Sequence, residues 1–356
     1  MILKGARRAE SADTSVRGDL EIRDEKIYPC AYRRGGKSID LSGFLLLPGL
    51  INAHDHLEFN LFPQLGRRLY SNAAEWAADI HRPAESPVKE HISVPLPVRL
   101  TWAHSLDFSP DLLERFLDGP AGWPFVVHAA EGTDLHAGMD IERLDELGVL
   151  APHTVLVHAI AAGGKALDLL RRRGTSIVWC PRSNLSTYGS TLPRHALESG
   201  VRIAIGTDSA ITSCGDLIDE IRTAVVDCGV SPSSVYRMVT SDAAAMLRLG
   251  RGEGSLRAGG VADIVAVRDE GQSPAEALLN LNPEFVMVGG RFRMLSENTA
   301  AGPLGAFADA FYPIRIASRD RCLIDADVAA LYREAARVIG TNVMLSGRAI
   351  SVEAVA

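Results

Sequence analysis

The order of apolar and polar positions divides the chain into three textures. Residues 1–43 have the pattern of short strands and turns. Asp19-Leu20-Glu21-Ile22-Arg23 alternates polar with apolar positions, the period of a half-buried strand, and Gly35-Gly36 marks a turn. Phe44-Leu45-Leu46-Leu47-Pro48-Gly49-Leu50-Ile51 is then almost continuously apolar, as in a strand buried on both faces of a parallel sheet. From Thr101 strands alternate with helices. The pattern predicts strands over 102–106, 124–128, 154–158, 175–180 and 201–206, and helices over 73–80, 139–147, 166–173, 193–198, 217–228 and 233–249. Gly148 and Gly174 stop two of these helices, and Ser231-Pro232 supplies a cap and a first-turn proline to the last. Beyond Gly250 the texture returns to turn-rich β, with strands at 263–267 and 285–289 and a helix at 326–338. The β-rich ends flank the βα array, so both termini can build one small β domain.

Composition narrows the function classes. The 356 residues carry 37 basic and 44 acidic side chains, a formal charge of −7. A surface that tracks phosphates needs the opposite balance, so no nucleic-acid partner is expected. The apolar runs fall far short of the roughly 20 residues a membrane-spanning helix needs, and the first ten residues hold no apolar signal core. Five scattered cysteines, none spaced as Cys-x-x-Cys, have the usage of reduced thiols, and the expected location is cytoplasmic.

The chemistry lies at the ends of the predicted strands. His54-Asp55-His56 follows the first apolar run, and residues i and i+2 of a strand point to one side. His128-Ala129-Ala130-Glu131, His158 and Thr207-Asp208 end three later strands. In a parallel barrel all carboxyl ends of strands open on one face, so these groups would meet around one centre. The step from His128 to His158 is 30 residues, matching a βα repeat of roughly 30. Any one of these histidines alone would be unremarkable; their joint order points to a metal site. Imidazoles with a carboxylate suit Zn²⁺ or Fe²⁺ and are poor for Mg²⁺ or Ca²⁺. Such a set leaves room for water, whose pKa the ion lowers to about 7. His81, His91, His104, His136, His153 and His195 are assigned to core or surface.

The stretches LLLPGLINAHDH (Leu45 to His56), HAAE (His128 to Glu131), LVHA (Leu156 to Ala159), WCPRSN (Trp179 to Asn184) and GTDSA (Gly206 to Ala210) resemble the amidohydrolase superfamily. The similar branch is that of cytosine deaminase, triazine chlorohydrolases and S-adenosylhomocysteine deaminase. GDLEIRDEKI (Gly18 to Ile27) and GSLRAGGVADIVAV (Gly254 to Val267) are similar to that family's composite β-sandwich. The resemblance implies an α/β fold, a distorted (β/α)8 TIM-like barrel with a small β-sandwich domain built from both termini. Residues 1–46 and 251–296 would form the sandwich, 47–250 the metal-dependent barrel and 297–356 a C-terminal helical extension. It further implies His54, His56, His128 and Asp208 as metal ligands, Glu131 as proton shuttle and His158 as the group that polarises the bond under attack. Asp208 would also take the first proton from water. Binuclear relatives place a carbamylated lysine in the strand at Trp102; none stands there, so one divalent ion is expected, zinc ahead of iron. Arg182, Ser183 and Asn184, just past a strand end, are candidate substrate contacts.

The expected activity is hydrolysis at a trigonal ring or amide carbon of a small molecule, foremost deamination of an amino-substituted heterocycle. A chlorohydrolase or cyclic amide hydrolase could use the same residues, and a non-catalytic scaffold is the reading from another class. A homodimer is compatible with all of these. One spacing departs from the barrel. Only 74 residues separate His54 from His128, where repeats of roughly 30 residues would need about 120. The expectation is a segment absent near Leu100-Thr101.

Overall fold

A computed structural model describes residues 1–30, 37–66, 68–80, 99–317 and 319–352. The Gly35-Gly36 turn, His81 and His91 lie outside the described residues. The chain divides into two compact units, one of residues 52–230 with 242–249, the other of 1–51, 231–241 and 250–356.

The first unit is built on five parallel strands, in the spatial order Ile203–Ile205, Ser176–Trp179, Thr154–His158, Phe125–Ala129 and Thr101–Trp102. Every residue of the middle three except the half-buried Val126 is buried, as expected of strands covered on both faces. Their register sets Val157 beside His128 and His158 beside Ala129, which brings the functional ends level. Helices Leu135–Glu146 and Gly164–Arg173 follow two of the strands. Asp134 caps the first by accepting from the Ala137 amide, and Gly174, left-handed at φ 71°, ends the second. Ile141 and Leu144 of the first are fully buried.

Residues 53–56 extend the sheet past Ile203–Ile205 as a strand-like edge. The Ala53 amide donates to the Ile205 carbonyl at 3.0 Å, and the Thr207 and Asp208 amides donate to that of His54. Gly206 makes this approach possible: a Cβ there would stand 2.8–2.9 Å from His54 atoms. Among the described residues the parallel strands form an open sheet, and no closed barrel is present.

The second unit holds a four-stranded sheet and a ten-stranded mixed sheet. Leu3, Leu20, Ile22, Leu46, Ile264, Phe285 and Met287 share one apolar core there. The Phe44–Pro48 strand is completely buried as its sequence demands, but in this mixed sheet. It runs antiparallel to Ile264–Arg268 and parallel to Arg7–Ala9, so the buried run does not enter the parallel sheet. The last sixty residues were expected to be helical. They carry the helices Glu297–Ala301, Gly305–Ala308 and Val328–Ile339, but also the strands Tyr312–Ile316, Cys322–Ile324, Met344–Leu345 and Arg348–Val352. Two other expected helices differ as well. Leu217–Arg222 widens into a π turn over Thr223–Asp227, and residues 233–249 break into Pro232–Met238 and Ser241–Met246. Among the described residues no helix is long and apolar enough to cross a membrane.

Candidate functional site

His54, His56, His128 and Asp208 converge, with one ligating atom from each lying within 4.8 Å of the others. His54 Nε2 is 3.2 Å from His128 Nε2, and Asp208 Oδ1 is 3.6 Å from both His54 Nε2 and His56 Nε2. Bonds of 2.0–2.2 Å to a tetrahedral ion require ligand separations of about 3.3–3.6 Å. The His128 Nδ1–H donates to the His104 carbonyl at 2.8 Å, which leaves its Nε2 lone pair aimed at the centre. Three imidazole nitrogens and a carboxylate oxygen brought this close fit a shared cation.

The backbone of each strand end sets these directions. Of the seven described non-glycine residues with left-handed φ, four stand at these strand ends: Ala130, His158, Ala159 and Asp208, at 52°, 76°, 52° and 59°. Such conformations cost of order 1–3 kcal/mol each and persist where surrounding structure over-determines them. At Asp208 the carboxylate is divided by function. Oδ2 accepts from Ser183 Oγ and, at 3.0 Å, from Thr212 Oγ1, which leaves Oδ1 to face the histidines. Burial would raise its pKa, but the bond to His54 and the surrounding imidazoles hold the carboxyl well below its usual range. Burial pushes His54 down to about 4, so the imidazole is neutral at pH 7. Asp55 points elsewhere: Asn52 and Asn60 each donate to it, and burial pushes it up to about 6.

Glu131 and His158 form a second pair beside the ligands. His158 is fully buried, its Nδ1 is 2.7 Å from Asn184 Oδ1, and its Nε2 has no hydrogen-bond partner. That Nε2 stands 3.5 Å from Glu131 Oε1, which accepts from the Tyr188 hydroxyl at 2.7 Å. Burial pushes the Glu131 carboxyl up, against the pull of His158.

A cavity of about 220 Å³ opens on this cluster. His56, His128, Glu131 and Asp208 line its floor, and Phe59, Trp76, Trp102, Phe108 and Ile211 supply aromatic and aliphatic wall. The three candidate substrate contacts stand behind the site instead of in the cavity wall. Ser183 holds Asp208 and Asn184 holds His158, while the Arg182 Nε donates to the Cys214 carbonyl at 2.6 Å. All three belong to the helix Pro181–Tyr188. His104, assigned to core or surface from sequence, lines the cavity and stacks on His128 at 4.6 Å between ring centroids. Its place at the third position of the strand at Trp102 was the available signal, but nothing in that strand's pattern distinguishes it from a packed histidine.

With that geometry in place, comparison with known proteins defines the class. Residues 120–293 match the amidohydrolase family model. That segment is similar to the amidohydrolase family, and the four converging groups fit such a site. The more particular likeness is to deaminases and a chlorohydrolase. The chain is 24% identical over 327 aligned positions to a 5-methylthioadenosine/S-adenosylhomocysteine deaminase of Syntrophobacter fumaroxidans, covering 66% of this chain and 74% of the relative. A deaminase of the same name from Nitratidesulfovibrio vulgaris is 30% identical over 215 positions, covering 54% of this chain and 47% of that one. Among solved structures, an atrazine chlorohydrolase of Arthrobacter aurescens complexed with zinc aligns at a TM-score of 0.64 and 19% identity, covering 82% of this chain and 94% of its own. An adenosine deaminase of Xanthomonas campestris with bound zinc aligns at 0.65 and 18%, covering 94% and 97%.

The alignment with the Syntrophobacter relative runs over 327 positions but draws on only 66% of 356 residues, so that relative carries stretches with no counterpart here.

Proposed function

We propose that the protein is a mononuclear zinc hydrolase that deaminates an amino-substituted heterocycle. The observation that carries this reading is the joint placement of four converging ligands, a Glu131–His158 pair and an aromatic-walled cavity in one site. A flat heteroaromatic ring suits walls made by Trp76, Trp102 and Phe108, and a cavity of about 220 Å³ suits a small molecule. The nitrogen-and-oxygen donor set suits zinc, and the zinc-bound structural neighbours support that choice over iron. Scattered, unpaired cysteines support a cytoplasmic setting.

His54, His56, His128 and Asp208 would hold the zinc ion, which would supply the Lewis acidity that makes water a nucleophile near neutral pH. Asp208, whose Oδ2 is held by the Ser183 and Thr212 hydroxyls, takes the first proton that this water gives up. Glu131 shuttles a proton from the attacking water to the departing amino group. His158, held through Nδ1 by Asn184, turns its buried Nε2 toward the bond under attack. Water supplies the new carbon–oxygen bond, the carbon–nitrogen bond breaks, and ammonia leaves.

The test is ammonia release by zinc-loaded protein from 5-methylthioadenosine, S-adenosylhomocysteine, adenosine and cytosine. Release from one of them, lost on chelation and restored by zinc, is the expected result. The chlorohydrolase fold neighbour favours a second reading, dechlorination of a triazine, which the same protein would report as chloride release from atrazine. Metal-replete protein inert toward both groups of compounds would refute both readings.

A further inference from the structure

The helix Pro181–Tyr188 reaches three site residues from behind. Ser183 bonds Asp208, Asn184 bonds His158, and Tyr188 bonds Glu131. Asn184 and Tyr188 are four residues apart and share one helix face. The first two bonds engage groups that are also fixed by their own backbone. The third engages a side chain with a freer terminus, because the last torsion of a glutamate is broad and roughly two-fold.

We propose that Tyr188 is the positioning residue for Glu131, locking the carboxylate so that Oε2 is presented to the reacting proton. The Tyr188 hydroxyl donates to Oε1 at 2.7 Å, the oxygen that also lies 3.5 Å from His158 Nε2. With Oε1 engaged by the tyrosine hydroxyl, Oε2 is the oxygen left to exchange a proton. The tyrosine itself has little freedom. Its side chain is buried against Tyr70 and Ile160, with Trp76 packed beside them, and the Thr187 carbonyl next to it accepts from the Tyr70 amide at 2.9 Å. Burial and the neighbouring carboxylate push the phenol well above its usual range, so it remains a donor at neutral pH. Gly189, left-handed at φ 64°, ends the helix directly after it.

This inference rests on Glu131 being the proton carrier, so the experiment separates the two. Tyr188→Phe, Glu131→Gln and the double variant are compared for kcat, KM and zinc content with 5-methylthioadenosine as probe. Tyr188→Phe should lower kcat about 10- to 100-fold, the cost of a misplaced reacting group, with KM and zinc content within twofold. In the Glu131→Gln background the same change should alter the remaining rate less than twofold. Equal effects in both backgrounds, or a Tyr188→Phe enzyme with unchanged kcat, would overturn the assignment. An unimpaired Glu131→Gln enzyme would instead sink the proton-carrier reading on which it stands. A second measurement needs no substrate. The carboxylate infrared band that disappears in Glu131→Gln must shift in Tyr188→Phe, and a band left in place overturns the hydrogen bond's role.

Discussion

The two units end their strands in different ways. In the mixed-sheet unit the left-handed residues of the strand reversals are mostly glycines, with Asp24 at φ 53° and Ser346 at 49° beside them. Gly289 and Gly290, at φ 57° and 74°, join Phe285–Val288 to Arg291–Ser296, and Gly347, at 71°, joins Met344–Leu345 to Arg348–Val352. In the parallel-sheet unit Ala130, His158, Ala159 and Asp208 take the same left-handed region with a Cβ in place. Glycine reaches this region at no steric cost, whereas other residues are strained there. Left-handed non-glycine residues thus occur in both units, but Asp24 and Ser346 lie in exposed or half-buried turns, whereas Ala130, His158, Ala159 and Asp208 are buried at the strand ends that carry the candidate ligands and proton-transfer groups. The difference lies in burial: strain in a solvent-facing turn can relax, whereas strain at a buried strand end is held by the structure around it.

The sharpest way to break that distinction is to remove the strained carboxylate. Asp208→Ala deletes the oxygen that His54 and His56 face, so zinc content and activity should both be lost. Elemental analysis of purified protein checks it, and full zinc occupancy in the variant would remove Asp208 from the ligand set. Glu131→Gln tests a strand-end group assigned no ligand role. Turnover should fall by about 10²–10⁴-fold, the usual contribution of general acid–base help, with zinc retained. Loss of zinc in that variant would move Glu131 from proton carrier to ligand.

These positions were legible because each follows a run whose burial is written in its residues. Thr154-Val155-Leu156-Val157-His158 is a strand in sequence and in structure, and so is most of the Phe125 strand. His54 and His56 were legible for another reason, since their motif keeps its meaning although the strand before it stops at Pro48. What failed was partner choice. Continuous apolarity at Phe44–Pro48 reports burial on two faces, which the interior of a mixed sheet satisfies as well as a parallel one. The helix Pro181–Tyr188 was hidden because its buried face is polar: Ser183, Asn184 and Thr187 carry no apolar period. The C-terminal strands pair with distant segments that local pattern does not specify. The cavity's aromatic walls lie on three separate segments, at Phe59, Trp76 and Trp102-to-Phe108, and only the fold joins them.

Gly290→Ala probes the packing side of the comparison. The added Cβ would collide with the Asp24 carbonyl and press on Ile22, and φ 74° would strain it besides. The left-handed penalty alone is roughly 1–2 kcal/mol, so the unfolding free energy should fall by at least that much. Zinc affinity of the folded protein should not change. A denaturant titration with parallel metal analysis reads both, and a folded variant with weakened zinc binding would show that this turn is not confined to packing.

Ala159→Gly asks for the smallest effect and the most instructive one. Removing the Cβ relieves a left-handed strain of roughly 1–2 kcal/mol. It also loses a buried methyl group worth about 0.8 kcal/mol and adds backbone entropy to the unfolded chain worth roughly 0.5–1 kcal/mol. These terms nearly cancel, so stability should stay within about 1 kcal/mol of the parent. Activity follows a different balance. The Ala159 amide is pinned to the Ala129 carbonyl at 3.1 Å, and His158 directly before it holds its own left-handed turn. A glycine at 159 frees the joint that keeps His158 Nε2 near Glu131, so kcat should drop severalfold while stability hardly moves. If denaturant midpoints and kcat instead stay unchanged together, the strain at that strand end is incidental, and the contrast between the two units reduces to turn chemistry.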